Sequence, residues 1–283
     1  MRSEKNIALL VNPTKENDKA VRVANHLTIL LTKKEIAHKV FATEWPSSLN
    51  GFTEVWVSGG DGTLNWFVNQ YPDADLPIAT FPGGSGNDFH WILYGEGSVD
   101  DHFERVLHAQ PRKVDAGICN GRLFVNGVGI GFDGAIVKDL LGKRKMAGKA
   151  SYLLSILKHI VGYTEKFCSI QMAGESISQP CFMISVANGR RFGGGFLVTP
   201  LASTTDARLD LNIVGRIPPL KRIKYLPVIE RGEHLTLPFV QYRQDVHVQI
   251  ASPEKLHAHI DGEYLYAGNF DISILPGRFS FLC

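Results

Sequence analysis

A chain of 283 residues, 44% hydrophobic and 20% charged, has the make-up of an ordinary globular protein and the length of two domains rather than one. Thirty basic against 28 acidic residues leave a formal charge of +2, too small to argue for a nucleic-acid partner. Cys119, Cys168, Cys181 and Cys283 form no C-x-x-C pair, which argues for reduced, mostly buried thiols and against a metal knot or disulfide frame. No apolar run approaches the roughly 18 residues that cross a bilayer. Ile7 to Val11, the first such run, is too short for a signal peptide, so a cytoplasmic protein is expected.

Asn6 to Val11 is continuously apolar, as expected of a parallel strand covered on both faces, and Asn12-Pro13 ends it. Ala20, Val23, Ala24, Leu27, Leu30 and Leu31 recur on one face of a predicted helix. A second strand is expected near Ala37 to Ala42, with Thr43 at its end. A third, Val55-Trp56-Val57, runs into Ser58-Gly59-Gly60-Asp61-Gly62-Thr63-Leu64-Asn65, with a helix from Gly62 to about Gln70. Pro77 to Phe81 reads as a fourth strand and feeds a second glycine loop, Pro82-Gly83-Gly84-Ser85-Gly86-Asn87-Asp88-Phe89. Alternating strands and helices predict a doubly wound parallel sheet with right-handed crossovers over residues 1–112. Ligands of such sheets sit beyond the strand carboxyl ends, where Asn12, Thr43, Gly59 to Thr63 and Gly83 to Asp88 all fall.

The first glycine loop is the most informative of these. Gly59, Gly60 and Gly62 remove side chains that would keep a backbone from a phosphate, and the following helix N-terminus favours anions. Asp61 would repel a bare phosphate, so a metal ion or an attacking hydroxyl must sit between them. The plainer alternative is a tight turn with Asp61 as a helix cap. In the second loop, Ser85 or Asn87 as an N-cap is the corresponding plain reading.

After about Arg112 strand-like runs dominate: Lys113–Cys119, Arg122–Val128, Phe167–Met172, Cys181–Ala187, Leu209–Val214, Val246–Ile250 and Leu256–Ile260. Turn signals between several of them predict a mostly antiparallel β-sandwich over residues 113–283. Ser252 to Lys255 is expected to turn a hairpin whose return strand ends in Asp261-Gly262-Glu263. A helix is expected at Ala150 to Val161, preceded by Lys143, Arg144, Lys145 and Lys149, and a second basic run spans Arg216 to Lys224. Either run is a solvated face or a patch for anionic lipid headgroups. Two glycine-dense stretches, Asn126 to Asp133 and Ala187 to Gly195, mark close backbone approach at a domain cleft or at sandwich corners.

The Gly-Gly-Asp-Gly-Thr loop resembles that of the diacylglycerol and sphingosine kinase superfamily, which shares it distantly with NAD kinases and phosphofructokinases. The second loop ending in Asn-Asp-Phe, both later glycine-dense stretches, Thr199 to Asp210 and Asp261-Gly262-Glu263 resemble the same family, in order, along nearly the whole chain. His90 and Trp91 depart, standing where many members have a small residue and an arginine. The resemblance implies an ATP- and Mg²⁺-dependent kinase for a lipid hydroxyl, met transiently at a membrane surface. It implies nucleotide contacts at Asn12, Thr43, Gly59, Gly60, Asp61, Gly62, Thr63, Asn65, Gly84 and Ser85. Glu263 would be the general base, with Asp61 orienting the hydroxyl or holding Mg²⁺ and Asp88 supporting it. The two acids, 61 and 263, would face one crevice. Asp206 and Asp210 would hold a structural magnesium ion, with Ala207 replacing the usual glycine. Many members continue past this chain's end and return to the first domain, so here that domain is expected from residues 1–112 alone. A soluble NAD or small-polyol kinase, and a nucleotide-binding regulatory protein without turnover, are the alternatives. No pattern specifies the lipid or an oligomeric state.

Overall fold

The computed structural model describes residues 5–12, 18–142 and 149–283. Pro13, Lys143, Arg144, Lys145 and the side chain of Lys149 lie outside what is described. The chain divides into two units, Met1–Val114 with Gly277–Cys283, and Asp115–Pro276.

Unit 1 alternates as its hydrophobic pattern requires: β1 (Asn6–Val11), α1 (Asp18–Lys33), β2 (Ala37–Phe41), β3 (Glu54–Gly59), α2 (Asp61–Gln70), β4 (Ile78–Pro82), α3 (Asp88–Tyr94) and α4 (Val99–His108). The strands pair in parallel in the order β2-β1-β3-β4. β1 and β3 are buried almost throughout. Trp56, Phe67, Phe81 and Phe103 are fully buried, and Trp56 and Phe81 lie 5.1 Å apart, centroid to centroid. The strand order reverses between β1 and β3, and such a switch opens a crevice beyond the carboxyl ends of those two strands. Asn12 and Gly60 follow them directly.

Unit 2 opens within β5 (Pro111–Cys119). It continues through β6 (Arg122–Phe124), β7 (Gly127–Gly131), α5 (Phe132–Leu140), α6 (Lys149–His159), β8 (Lys166–Met172), β9 (Glu175–Cys181), β10 (Met183–Ala187), β11 (Leu209–Val214), α7 (Pro219–Glu230), β12 (Val240–Asp245), β13 (His247–Ile260) and β14 (Glu263–Leu282). Its pairings are antiparallel, as expected of a sandwich. β13 serves two groups of strands: residues 249–251 pair with β8, and residues 258–260 pair with β7. A register shift between Ala251 and Leu256 separates the halves, which is how a bulge lets one strand change layers. Here the structure corrects the expected hairpin. Ser252 to Lys255 is the irregularity within one strand, and β14 is the true return strand. One core cluster joins Val248, Ile250, Ile170, Ile184, Leu211 and Phe270, all buried. Another lies under α5, α6 and α7.

The chain's last residues also correct the expectation. Gly277–Cys283 belong to unit 1, where Phe281 pairs with Ile78 of β4. Phe279 and Phe281 are fully buried, and Phe281 meets Phe89 edge-on at 5.5 Å. A strand that can bury two aromatic rings is held by that burial, worth roughly 2–3 kcal/mol per ring. All four cysteines are free thiols, three of them buried. Among the described residues no helix is long and apolar enough to cross a membrane.

Candidate active site

In unit 1 the two glycine loops fold against each other. A Cβ on Gly60 would lie 2.8 Å from Gly84 Cα, and one on Gly84 would lie 2.4 Å from Gly60 Cα. Gly83 N–H donates to Gly59 O at 2.8 Å. These glycines are therefore needed for loop-to-loop packing, which by itself accounts for them. A Cβ on Gly59 would lie 2.4 Å from Thr63 Oγ1, the same atom that accepts a 2.8 Å bond from Asn12 Nδ2. Asn12, Gly59, Gly60, Thr63 and Gly84 are thus brought together at the switch point.

Asp61 does cap a helix, but not its own. Its two carboxylate oxygens accept the N–H groups of Asp88 (3.0 Å) and Phe89 (2.9 Å), in the first turn of α3. Support for Asp61 therefore comes from the backbone of Asp88. Asn87 occupies the N-cap position at φ +55° but makes no side-chain bond to the helix. Its amide instead closes the loop, accepting from Gly84 N–H at 2.8 Å and donating to Gly84 O at 3.0 Å. A small pocket lies here, lined by Gly59, Gly60, Asp61, Asn87, Thr80 and His90 among others.

Gly62 and Ser85 are exposed beside these loops, and Asn65 is buried one turn into α2, where Asn69 donates to its backbone oxygen at 2.8 Å. Thr43 is exposed just past β2, two strands from β3 and so about 10 Å across the sheet. Lys19, which sequence reasoning passed over, donates to Gly84 O at 3.3 Å and brings a cation to the second loop. His90, at the position that departs from the family, donates from Nδ1 to Thr80 O (2.9 Å), so its Nε2 accepts from His102 Nδ1 (3.0 Å). Burial, and then the His102 charge, push its pKa down to about 3, so it stays neutral.

In unit 2, Asp261 and Gly262 form the two-residue turn between β13 and β14, both at positive φ (+48° and +87°). Asp-Gly is the pair that such a turn favours. The Asp261 carboxylate accepts from the backbone N–H of Val125 (2.9 Å), Asn126 (3.1 Å) and Gly127 (2.8 Å). It thereby pins the turn, and Glu263 follows it exposed, opposite Ile260. The two later glycine-dense stretches meet each other: Asn188 and Gly189 N–H both donate to Asn126 O at 2.8 Å.

Gly129 leaves room for a buried ion pair that the sequence did not announce. Asp133 Oδ2 and His259 Nε2 are 2.8 Å apart, and a Cβ on Gly129 would lie 2.3 and 2.4 Å from those atoms. In the neutral ring Gly262 N–H donates to His259 Nδ1 at 3.2 Å and Nε2–H faces Asp133; protonation trades that backbone bond for the ion pair, and the Tyr152 hydroxyl donates to Asp133 Oδ1. Burial alone would lower His259, but the Asp133 charge outweighs it and raises the ring above its usual pKa. Burial would likewise lift Asp133, yet His259 and Tyr152 hold it below the ordinary carboxylate range. Asp133 and Tyr152 form the polar end of an apolar pocket walled by α6, α7, Phe132, Phe182, Met183 and Phe192. Its enclosed volume is about 50 Å³, with further space beyond it open to solvent.

Asp210 is fully buried on β11, and Asp206 is exposed four residues earlier. Asp210 Oδ1 accepts from the Tyr242 hydroxyl, while Oδ2 has no hydrogen-bond partner among the described residues. Burial raises the Asp210 pKa, and the Asp206 charge adds to it. The partnerless Oδ2 of this buried carboxyl is open to a proton or to a cation, and no cluster of three acidic, His or Cys ligands occurs among the described residues. Ala207 between them adopts φ +59°, the left-handed conformation that a glycine would adopt freely.

A parallel α/β unit with paired glycine loops at its switch point, joined to a β-sandwich unit, defines the fold class of diacylglycerol and NAD kinases. The solved structure of a diacylglycerol kinase from Bacillus anthracis str. Sterne superposes with a TM-score of 0.75 at 18% identity, covering 100% of this chain and 98% of that one. An NAD kinase from Archaeoglobus fulgidus, solved with ATP, superposes at 0.56 and 14% identity, covering 98% and 93%. Residues 6–119 match the diacylglycerol kinase catalytic domain, and residues 126–283 match the YegS C-terminal NAD kinase beta sandwich-like domain. A Chromohalobacter salexigens protein described as "Probable lipid kinase YegS-like" is 31% identical over 80% of this chain and 75% of its own length. The chain belongs to the diacylglycerol kinase catalytic-domain family, and is a kinase.

Proposed function

We propose that this kinase transfers the γ-phosphoryl group of ATP to the hydroxyl of a diacylglycerol-like lipid, with Mg²⁺. The observation that carries the lipid reading is the unit 2 pocket, with apolar walls to meet acyl carbon and a polar end at Asp133 and Tyr152 for a hydroxyl-bearing head. In unit 1, the loops holding Asn12, Gly59, Gly60, Thr63 and Gly84 would hold the nucleotide, with Thr43, Gly62, Asn65 and Ser85 assigned to it by family resemblance. Asp61 would orient the reacting groups from its fixed seat on α3, with Asp88 behind it. Glu263, exposed at the start of β14, would take the acceptor's proton. Mg²⁺, when bound with ATP, supplies charge neutralisation at the phosphates. Asp206 and Asp210 would hold a second, structural ion. Phosphoryl transfer asks mainly for positioning and neutralised charge, so fixed loops and few catalytic side chains suffice.

The test is an acceptor screen with radiolabelled ATP and Mg²⁺, offering detergent-dispersed diacylglycerol, other hydroxyl lipids, NAD and small polyols. Labelled lipid supports the reading. Labelled NAD or polyol alone replaces it with a soluble-acceptor kinase, and ATP binding without any labelled product replaces it with a regulatory role.

A further inference from the structure

Unit 1 carries an aromatic stack beside its glycine loops that the packing of those loops does not account for. Trp45, just past β2, lies against α2. Its ring meets Trp66 at 4.2 Å between centroids and 26° between planes, and Phe67 and Tyr71 each at 6.3 Å. Its Nε1–H donates to Val11 O at 2.8 Å, and the Tyr71 hydroxyl donates to Pro46 O one residue further on. Trp45 is thus buried and held by Val11, Phe67 and Tyr71 before Trp66 is counted. Trp66 is placed differently. Of the four tryptophans it alone is exposed, at 42%: its ring rests on Trp45 and leaves much of its area in solvent.

The stack is tied to the switch point at both ends. Val11, which holds Trp45, precedes Asn12, and Asn12 Nδ2 donates to Thr63 Oγ1 at 2.8 Å. Trp66 follows Thr63 by three residues of α2, a separation of about 5–6 Å between Cβ atoms. Thr43 is exposed two residues before Trp45. The open ring therefore begins where the glycine loops end, one ribose away from groups suited to phosphates. A single exposed apolar side chain is ordinary on a protein surface. A flat ring fixed on a second, buried ring beside such loops is a preformed stacking surface, ordered before any ligand arrives.

We propose that the open face of Trp66 stacks on the base of the bound nucleotide, so that this chain holds the base by its π-face. That the occupant is a nucleoside triphosphate rests on the ATP reading above; the stacking surface itself is a feature of unit 1.

The full chain is titrated by calorimetry with Mg²⁺-ATP and, separately, with Mg²⁺-tripolyphosphate, which has the phosphates and no base. Trp66→Leu keeps an apolar side chain over Trp45 but removes the ring. It should weaken ATP binding about 5- to 150-fold, the range for losing one base–aromatic stack, and leave tripolyphosphate within about twofold of wild type. Trp66→Phe, which keeps a ring, should retain most of the ATP affinity. Equal weakening of ATP and tripolyphosphate in Trp66→Leu would show that the indole only props the loops, and overturns the proposal. So does ATP bound as tightly by Trp66→Leu as by wild type, and that result leaves the kinase reading standing. A wild type that binds no ATP removes the ATP reading itself, and the stacking with it.

Discussion

Among the described residues the Glu263 side chain bonds to none of the groups that fix its turn, so it can be changed with little structural cost. Asp261 makes the three backbone bonds that hold the Asp-Gly turn, and Glu263 stands exposed beyond it. Glu263→Gln should lower kcat on the order of 10²–10⁴-fold while ATP affinity and melting temperature stay put. Isotope incorporation beside nucleotide titration separates the two, and an unchanged rate would refute the assignment. Ala207 offers the opposite kind of test. Its φ of +59° strains an L-residue, and Ala207→Gly should raise stability by up to about 1 kcal/mol in urea unfolding. At Asp210, Mg²⁺ should raise the melting temperature of the nucleotide-free chain and EDTA should reverse it. Asp210→Asn, which keeps the shape but removes the charge, should abolish that response.

Among the elements, β7, α5 and β13 share the Asp133–His259 pair, and its pH dependence follows from the two shifts. Asp133 is depressed, so its contribution is present above the unfolded value of about 3.9 and lost as pH falls through the folded one. His259 is raised, so its contribution is complete below about 6.5 and lost as pH rises through the folded value. The stability gap between wild type and His259→Gln should therefore be widest between about pH 4 and 6.5 and narrow above it. Urea unfolding at pH 5, 7 and 9 reads this directly, and a gap that widens with pH would exclude the ion pair. Such long-range pairs mark where the sequence was silent. Asp133 and His259 are 126 positions apart, and nothing local to either announces the other. Asp61 was legible as a possible cap, but its helix begins 27 residues later, so the pattern suggested the wrong one. Ser252-Pro253 are turn formers, and a bulge uses the same residue types as a turn. By contrast, the unit 1 strands and the glycine loops were plain from local hydrophobic runs and turn residues, because each is decided by neighbours in the chain.

On the scale of the whole molecule, the return of Gly277–Cys283 to unit 1 was the feature least visible beforehand. Seven residues hold too little pattern to show which sheet they will join. Their removal should strip two fully buried rings, Phe279 and Phe281, from the unit 1 core. Roughly 4–6 kcal/mol would go with them, comparable to a domain's whole stability. A chain truncated after Pro276 should thus lose protection of the β3 and β4 amides in hydrogen exchange, while the β10 and β11 amides stay protected. Equal protection in both units would show that the strand is dispensable.

The same return orders events at the ribosome. The first 114 residues emerge with their sheet one strand short, and the missing piece follows only after all of unit 2 has been translated, roughly 8–30 s later at usual elongation rates. Through that interval the nascent β4 edge stands open to any passing strand, which makes this the stage at which a chaperone would matter most.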